Sequence, residues 1–180
     1  MHPPATFDTE RLLLRRATVD DAPALFDAYA SDPQATRYLS WRTHESVAET
    51  REFLEQAVSS WDDGSEFIWV LVLHGAQDAI GAAAAAPGAH GVEIGYVLGR
   101  QWWGRGLMTE AIGALMAWLR AQPEVFRVWA YCESGHVRSA RVLERAGMTH
   151  EADLRRWIAL PNLADEPCDA KVFAWIRPAA

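Results

Sequence analysis

The sequence predicts an α/β fold in which helices pack on a mixed β-sheet. Short apolar runs of strand length alternate with amphipathic segments of helical spacing, in the order β-α-α-β-β-β-α-β-α-β. The chain has 180 residues, half of them hydrophobic and nine of them tryptophan, which is enough to bury a sizeable core. We therefore expect one ordered domain over residues 1–180 and no low-complexity region apart from a run of alanines.

The first third of the chain predicts one strand and two helices. Residues 11–16 form an apolar-centred run that is short enough for a strand. Thr18, with Asp21 three residues later, has the pattern of a capping box and predicts the start of the first helix. Thr43 is the expected N-cap of the second helix, with Glu45 in its first turn.

The remaining elements are predicted from periodicity and from turn residues. Residues 80–86 are ambiguous, because five consecutive alanines favour a helix whereas the length and the flanking turns favour a strand, which we adopt. Ser134 is the expected cap of a helix that runs to Ala146 and stops at Gly147. The other predicted strands are residues 67–74, 92–98, 125–132 and 171–176, and the other helix is 107–120.

Composition excludes several classes of function. The formal net charge of −7 argues against general binding of nucleic acids or anionic membranes and is compatible with cationic substrates. The cysteines, Cys132 and Cys168, lack zinc or redox spacing and predict a reduced pair. Without a signal peptide or a spanning apolar stretch, the expected location is the cytoplasm. The six histidines form no ligand cluster in the sequence, so we assign no metal.

Residues 101–110 carry the most specific motif. Gly104 and Gly106 lie at a strand–helix junction, where the backbone can approach an anion and the first helical N–H groups point at it. The nucleotide P-loop requires a Gly-Lys-Ser/Thr ending, which is absent. The dinucleotide fingerprint requires a small residue where this chain has Thr109. The acetyl-coenzyme A pattern Gln/Arg-x-x-Gly-x-Gly/Ala is matched in full by residues 101–106.

With these motifs the chain resembles the GNAT superfamily of N-acetyltransferases, in particular the branch that acetylates the N-terminal alanine of ribosomal proteins. Supporting motifs follow in order at residues 9–15, 32–39, 80–81, 93–96, 101–111 and 139–148. The resemblance implies a twisted, mixed, mostly antiparallel sheet with helices on both faces. It also implies a splay between the fourth and fifth predicted strands, where acetyl-coenzyme A would lie.

The same resemblance implies the residues that hold this cosubstrate. The backbone of Val97 and Leu98 would pair with the pantetheine arm, and the Leu98 N–H would serve as the oxyanion donor. His136 stands where the family usually has an asparagine that contacts the cofactor. Trp102 and Trp103 either contact the cofactor or cover the sheet edge. The pyrophosphate cradle would be formed by the loop residues Gln101, Gly104, Arg105, Gly106, Leu107, Met108 and Thr109.

Glu93 and Ser139 are the candidate catalytic residues. A carboxylate on the strand that leads to the loop can deprotonate an ammonium, although Glu93 could equally bind substrate or stabilise structure. Many family members carry a tyrosine at the position of Leu143 as the acid. Ser139, one turn earlier and on the same helix face, is the alternative here, and it could also be a buried helix residue that bonds a carbonyl.

The predicted activity is acetyl transfer from acetyl-coenzyme A to a primary amine. The acceptor is a protein N-terminus or a small molecule, and residues 36–41, Tyr131 and Glu133 would line its site. The chain would act as a monomer or a homodimer. The rival interpretations are a non-catalytic coenzyme A-binding or sensor domain of the same fold, and an unrelated nucleotide-binding module.

Overall fold

The computed structural model describes residues 1–179, in which eight strands form one open sheet of order β1-β2-β3-β4-β5-β6-β8-β7. All neighbouring strands are antiparallel except β5 and β6, which are parallel. The predicted mixed, mostly antiparallel sheet is therefore confirmed. The strands are β1 (Thr6–Asp8), β2 (Leu12–Arg16), β3 (Phe67–Leu73), β4 (Ala79–Gly88), β5 (Gly91–Leu98), β6 (Arg127–Glu133), β7 (Thr149–Ile158) and β8 (Cys168–Ile176).

Helices cover both faces of this sheet, as predicted. One core cluster joins β3 and β4 to the first two helices, and a larger cluster lies beneath the last two. We call these sides the α1/α2 face and the α3/α4 face. None of the described helices combines the length and apolarity needed to cross a bilayer. The helices are α1 (Ala22–Leu25), which continues as a π-helical turn over Phe26–Ala30, α2 (Val47–Asp63), α3 (Leu107–Ala121) and α4 (Val137–Arg145).

The alanine run forms the central strand β4, which confirms the preference for a strand over a helix. Ala83 lies between Trp69 on β3 and Tyr96 on β5. Ala85 repeats this arrangement one pleat further along the same face. A small residue between two large ones fills a two-sided interior without voids. Packing against large neighbours therefore outweighs the helix propensity of alanine at this position.

Two strands escape prediction because they carry no alternating pattern. β1 is three residues long and lies at one sheet edge. β7 lies at the other edge, and only Ile158 among its ten residues is buried. Its register is irregular, and Arg156 adopts a positive φ of 48°. Strands at an edge need no buried face, so their sequences lack the alternation that predicts a strand.

Two predicted helix caps are wrong. Ser46, not Thr43, is the N-cap of α2, because the Ser46 hydroxyl accepts the Glu49 amide. His136, not Ser134, caps α4, because β6 continues to Glu133 and a turn occupies the residues between. Local sequence offered two polar candidates within three residues in both cases, and the preceding structure decided between them.

The predicted stop of α4 and the predicted splay are both found. Gly147 has φ of 78°, and its amide and that of Met148 close the helix end on carbonyls of the last turn. β5 pairs with β6 only at Val92 with Val128 and at Glu93 with Trp129. β6 is paired along its whole length with β8 on its other side. The two parallel strands therefore separate beyond Glu93 and open a cleft through the sheet.

Candidate active site

The C-terminal part of β5 offers unpaired backbone groups to the splay. Gly81 and Leu98 lie opposite each other, and the Gly99 amide donates to the Ile80 carbonyl at 2.9 Å. Antiparallel ladders alternate hydrogen-bonded pairs with pairs whose N–H and C=O groups point away from the partner strand. The Leu98 amide therefore points into the splay, whereas the backbone groups of its neighbour Val97 are directed to β4.

The glycine loop presents a row of free amides at the top of the splay. Gly104 and Gly106 have φ of 76° and 78°, which L-residues with side chains rarely adopt. Gly106 is the N-cap of α3, so Leu107 and Met108 lie in the first helical turn. Within residues 1–179, the amides of residues 104–108 have no hydrogen-bond acceptor. Such a row is suited to an anion with several oxygen atoms.

A clamp that sequence reasoning missed holds this loop in place. The Arg11 side chain donates from Nε to Glu110 at 2.7 Å and from Nη1 to the Arg105 carbonyl at 2.9 Å. The Thr9 hydroxyl donates to the same carboxylate at 2.7 Å. Glu110 therefore has a structural role, and these contacts lower its pKa despite some burial. A contact across about 100 residues has no local sequence signal.

Trp103 packs rather than exposing its ring to a cofactor. Its indole N–H donates to the Leu98 carbonyl at 2.7 Å, and the Arg138 guanidinium lies 5.0 Å from its ring centre. Trp102 is likewise packed against the α3/α4 core. The Gln101 and Arg105 side chains are exposed at the loop surface. The two tryptophans therefore fix the end of β5.

Ser139 on α4 faces inward, and its partner is Tyr96 on β5, which is not among the catalytic candidates that the sequence predicts. The Tyr96 hydroxyl lies 2.8 Å from Ser139 Oγ and 3.0 Å from the Ser139 carbonyl oxygen. Burial raises the pKa of Tyr96 far above its ordinary value, so the phenol stays protonated. Cys132 lies beside them, and burial raises its pKa to about 11, an effect that Ser139 opposes. The three groups form a neutral cluster on the α3/α4 face.

His136 connects α4 to the loop before α2. Its Nδ1 accepts the Ser139 amide at 3.2 Å, and its ring centre lies 4.0 Å from that of Tyr38. Burial lowers the pKa of His136, which favours the neutral ring. Because Nδ1 is an acceptor, the neutral ring carries its proton on Nε2. This nitrogen remains available as a donor.

Glu93 lies at the vertex of the splay on the opposite, α1/α2 face. Burial raises its pKa, and the charge of Glu66 adds to the rise. Burial also raises the pKa of Glu66. Tyr131 lies on the same face, two residues beyond the Glu93 partner Trp129, and burial and the charge of Glu93 raise its pKa. Neither carboxylate has an ion-pair partner within residues 1–179.

A second long-range contact on this face joins the loop before α2 to the loop between β7 and β8. Asn162, in the loop between β7 and β8, donates to the carbonyls of Thr36 at 2.9 Å and Trp41 at 2.7 Å. Its amide oxygen accepts the Thr43 amide at 3.0 Å. The loop before α2, expected to wall the acceptor site, is thus tied to the far half of the sheet. Thr43, which does not cap α2, has its role here.

Residues from both faces of the sheet reach the splay. Ser139, Tyr96 and Cys132 approach it from the α3/α4 face, and Glu93 and Tyr131 approach it from the α1/α2 face. A donor and an acceptor can therefore meet through the sheet without sharing one entrance. Within the described residues, no three of His, Cys, Asp or Glu are grouped to hold a metal ion.

Comparison with known proteins agrees with this geometry. The profile of the Acetyltransferase (GNAT) domain matches residues 11–149. The chain belongs to the GNAT acetyltransferase family. This family uses acetyl-coenzyme A. Like its relatives, which are named N-acetyltransferases, the GNAT protein described here is an acetyltransferase.

Three relatives illustrate the range of similarity. The uncharacterized N-acetyltransferase YoaA of Bacillus subtilis is 24% identical over 174 residues, covering 95% of this chain and 96% of YoaA. A GNAT-family acetyltransferase from Bacillus anthracis has a TM-score of 0.82 at 25% identity, with 95% and 98% coverage. RimL, a ribosomal L7/L12 α-N-protein acetyltransferase solved with disulfide-linked coenzyme A, has a TM-score of 0.82 at 21% identity, with 96% of each chain covered.

Proposed function

We propose that this GNAT protein transfers the acetyl group of acetyl-coenzyme A directly to a primary amine in the cytoplasm. The observation that carries the proposal is the splay, which exposes the free Leu98 amide and is approached by a carboxylate from one face and a hydroxyl cluster from the other. RimL acts on a protein α-amine, as its name states, so a peptide N-terminus is one acceptor class. A small-molecule amine is the other.

The chain's free backbone donors fit acetyl-coenzyme A. The amides from Gly104 to Met108, beside Gln101 and Thr109, would hold its pyrophosphate, with the Arg105 side chain available for further charge. The backbone of Val97 and Leu98 would lie along its pantetheine arm, with the Leu98 amide reserved for the thioester oxygen, and His136 Nε2 would add a donor from α4. The cosubstrate supplies an acetyl group activated as a thioester.

Glu93 takes the role of general base. An ammonium becomes nucleophilic only when it loses a proton, and the raised pKa of Glu93 makes its carboxylate a better acceptor of that proton. Glu66, directly before β3, strengthens this effect by like-charge repulsion. The Leu98 amide donates to the oxygen atom that gains negative charge during attack.

Ser139 and Tyr96 assist the departing sulfur by hydrogen bonding. When the Tyr96 hydroxyl donates to Ser139 Oγ, the Ser139 proton is free to point at sulfur. The phenol is a weaker acid than a thiol, so the pair stabilises a thiolate without giving up its own proton. Tyr96 thus acts through Ser139, and the absence of tyrosine at Leu143 is compensated from a neighbouring strand.

Two measurements test this function. Acetyl-coenzyme A should raise the melting temperature, whereas ATP and NAD should not, which separates the proposal from a nucleotide-binding module. A thiol-release assay over peptides and small amines should then identify an acceptor. If acetyl-coenzyme A binds but no amine in a broad panel releases coenzyme A, the chain is a non-catalytic sensor domain instead.

A further inference from the structure

Half of the α1/α2 face has no helix over it. The core cluster beneath α1 and α2 draws its strand residues from β3, β4 and β5, and none from β6, β7 or β8. On the uncovered part lies a groove of about 260 Å³, which we call the aromatic groove. Its apolar lining is Trp129, Ala152, Leu154, Trp157 and Val172, and its polar lining is His90, Arg127 and Glu151.

We infer that the aromatic groove binds the body of the acceptor, and that the acceptor is a monoamine joined by a short chain to an aromatic or branched apolar group. The inference rests on the proposed function and names its substrate class. An arylalkylamine and the first residue of a peptide with a bulky side chain share this chemistry. Polyamines and aminoglycosides do not.

The register of the sheet places the groove beside Glu93. Trp129 is the residue on β6 directly paired with Glu93 on β5. Side chains of paired residues project from the same face, and neighbouring strands lie about 4.8 Å apart. A molecule whose amine reaches the Glu93 carboxylate therefore extends its next atoms over the Trp129 ring. A short linker is enough to span this step.

Charge favours a cation at one end of the groove and a neutral body in the rest. Glu93 and Glu66 lack ion-pair partners within residues 1–179, so the ammonium of a bound amine would be the cation that pairs with them. At the rim, the Arg127 guanidinium is already held by Glu151. The lining therefore offers no unpaired carboxylate to the second ammonium of a diamine.

Aromatic rings supply the binding surface. Trp129 and Tyr131 have ring centres 6.1 Å apart, and Tyr131 and Trp157 meet edge to face at 5.0 Å. Trp157 is 45% exposed, although it lies on a sheet face beside Leu154 and Val172. Rings fixed by such contacts offer apolar area with little loss of side-chain entropy on binding. The volume accommodates one large side-chain-sized group.

The test compares matched amines on the wild type and on Trp157→Ala. We expect kcat/KM for 2-phenylethylamine to exceed that for ethylamine and for 1,4-diaminobutane by at least tenfold. Trp157→Ala should lower it about fivefold, since one aromatic contact contributes about 1 kcal/mol, and should leave the ethylamine value unchanged. Phe126→Ala, which removes a 67% exposed ring outside the groove, is the matched control and should change neither value.

Calorimetry in the presence of coenzyme A gives a readout independent of turnover. Phenylethylamine should bind the wild type and Phe126→Ala, and bind Trp157→Ala more weakly. The tripeptides Phe-Gly-Gly and Gly-Gly-Gly then distinguish a peptide source from a free amine. Preference for diaminobutane, or an equal loss with all amines in Trp157→Ala, would overturn the inference.

The failure of this inference and the failure of the proposed function give different results. An active enzyme whose Trp157→Ala variant retains its amine preference contradicts the groove alone. Binding of phenylethylamine that depends on Trp157, without any release of coenzyme A, contradicts the transferase activity and leaves the groove as an amine site. If phenylethylamine neither binds nor reacts, the groove inference is wrong, whereas release of coenzyme A with another amine upholds the transferase function.

Discussion

The two faces of the splay differ in how they treat charge. On the α3/α4 face, Tyr96, Ser139 and Cys132 are neutral and hydrogen-bonded or buried. On the α1/α2 face, Glu93 and Glu66 are half-buried carboxylates without protein cations, next to an open groove. The difference matches the two halves of amide formation, because a leaving thiolate needs donors and an incoming ammonium needs a base. The predictions below test this division in order of decreasing effect.

Glu93→Gln should have the largest effect. Losing the base removes proton abstraction from the ammonium, and general base catalysis contributes roughly 10²- to 10⁴-fold. We expect kcat to fall by that order, while the thermal shift caused by acetyl-coenzyme A stays unchanged. Glu49→Gln, at the exposed start of α2, is the control. A loss of acetyl-coenzyme A binding with Glu93→Gln would mean that this residue holds the cosubstrate instead of acting on the amine.

Tyr96→Phe and Ser139→Ala should each reduce kcat about 10- to 100-fold, since one hydrogen bond to a developing charge is worth about 1.5–3 kcal/mol. Because Tyr96 acts through Ser139, the double variant should be no slower than the slower single variant. Multiplying effects, or a rise in KM without a fall in kcat, would mean that the two residues only support the fold.

Gly106→Ala should weaken the binding of acetyl-coenzyme A, an effect smaller than those above. A φ of 78° costs an L-residue about 1–2 kcal/mol, so the loop amides should move and the affinity for acetyl-coenzyme A should fall roughly tenfold. Gly113→Ala is the matched control within α3, where an added methyl group meets no neighbour. Denaturation should show that variant to be more stable by about 0.5–1 kcal/mol.

Glu66→Gln should have the smallest effect and act on the acceptor side alone. Removing this charge lowers the pKa of Glu93, so the acidic limb of the kcat/KM profile should move to lower pH. Raised carboxyl pKa values make the folded state lose stability as pH rises from the unfolded pKa through the folded one. The variant should therefore unfold at a higher temperature at neutral pH. An unmoved limb would show that Glu93 is not the titrating base.

The residues proposed to bind acetyl-coenzyme A could be predicted from the sequence in more detail than those proposed to bind the amine. The glycine loop and α4 each occupy one short segment, so Gly106, Ser139 and Gly147 were named from local pattern. Tyr96 was not named as a candidate, because its bond to Ser139 joins residues 43 positions apart in the sequence. The roles of Arg11 and Asn162 depend on contacts across about 100 residues and were missed for the same reason.

On the α1/α2 face, where the amine is proposed to bind, the decisive contacts also join residues that are far apart in the sequence. Glu93 was named because its strand leads to the loop, yet the burial and the Glu66 charge that raise its pKa arise only when distant segments come together on folding. The groove beside it depends on β7, whose exposed sequence has no strand pattern. Substrate preference therefore resides in the part of the molecule where local sequence patterns are weakest.

The single parallel step of the sheet has a further consequence. Sheet edges usually lie at the outside, where any extended chain can pair with them. Here the free edge of β5 beyond Glu93 lies inside the molecule, between helices on both faces. A polypeptide that paired with this edge would bring side chains to both faces, whereas an unbranched amide chain would bring none. The interior edge is therefore suited to a slender ligand, and its position keeps it from the pairing with other chains that leads to aggregation.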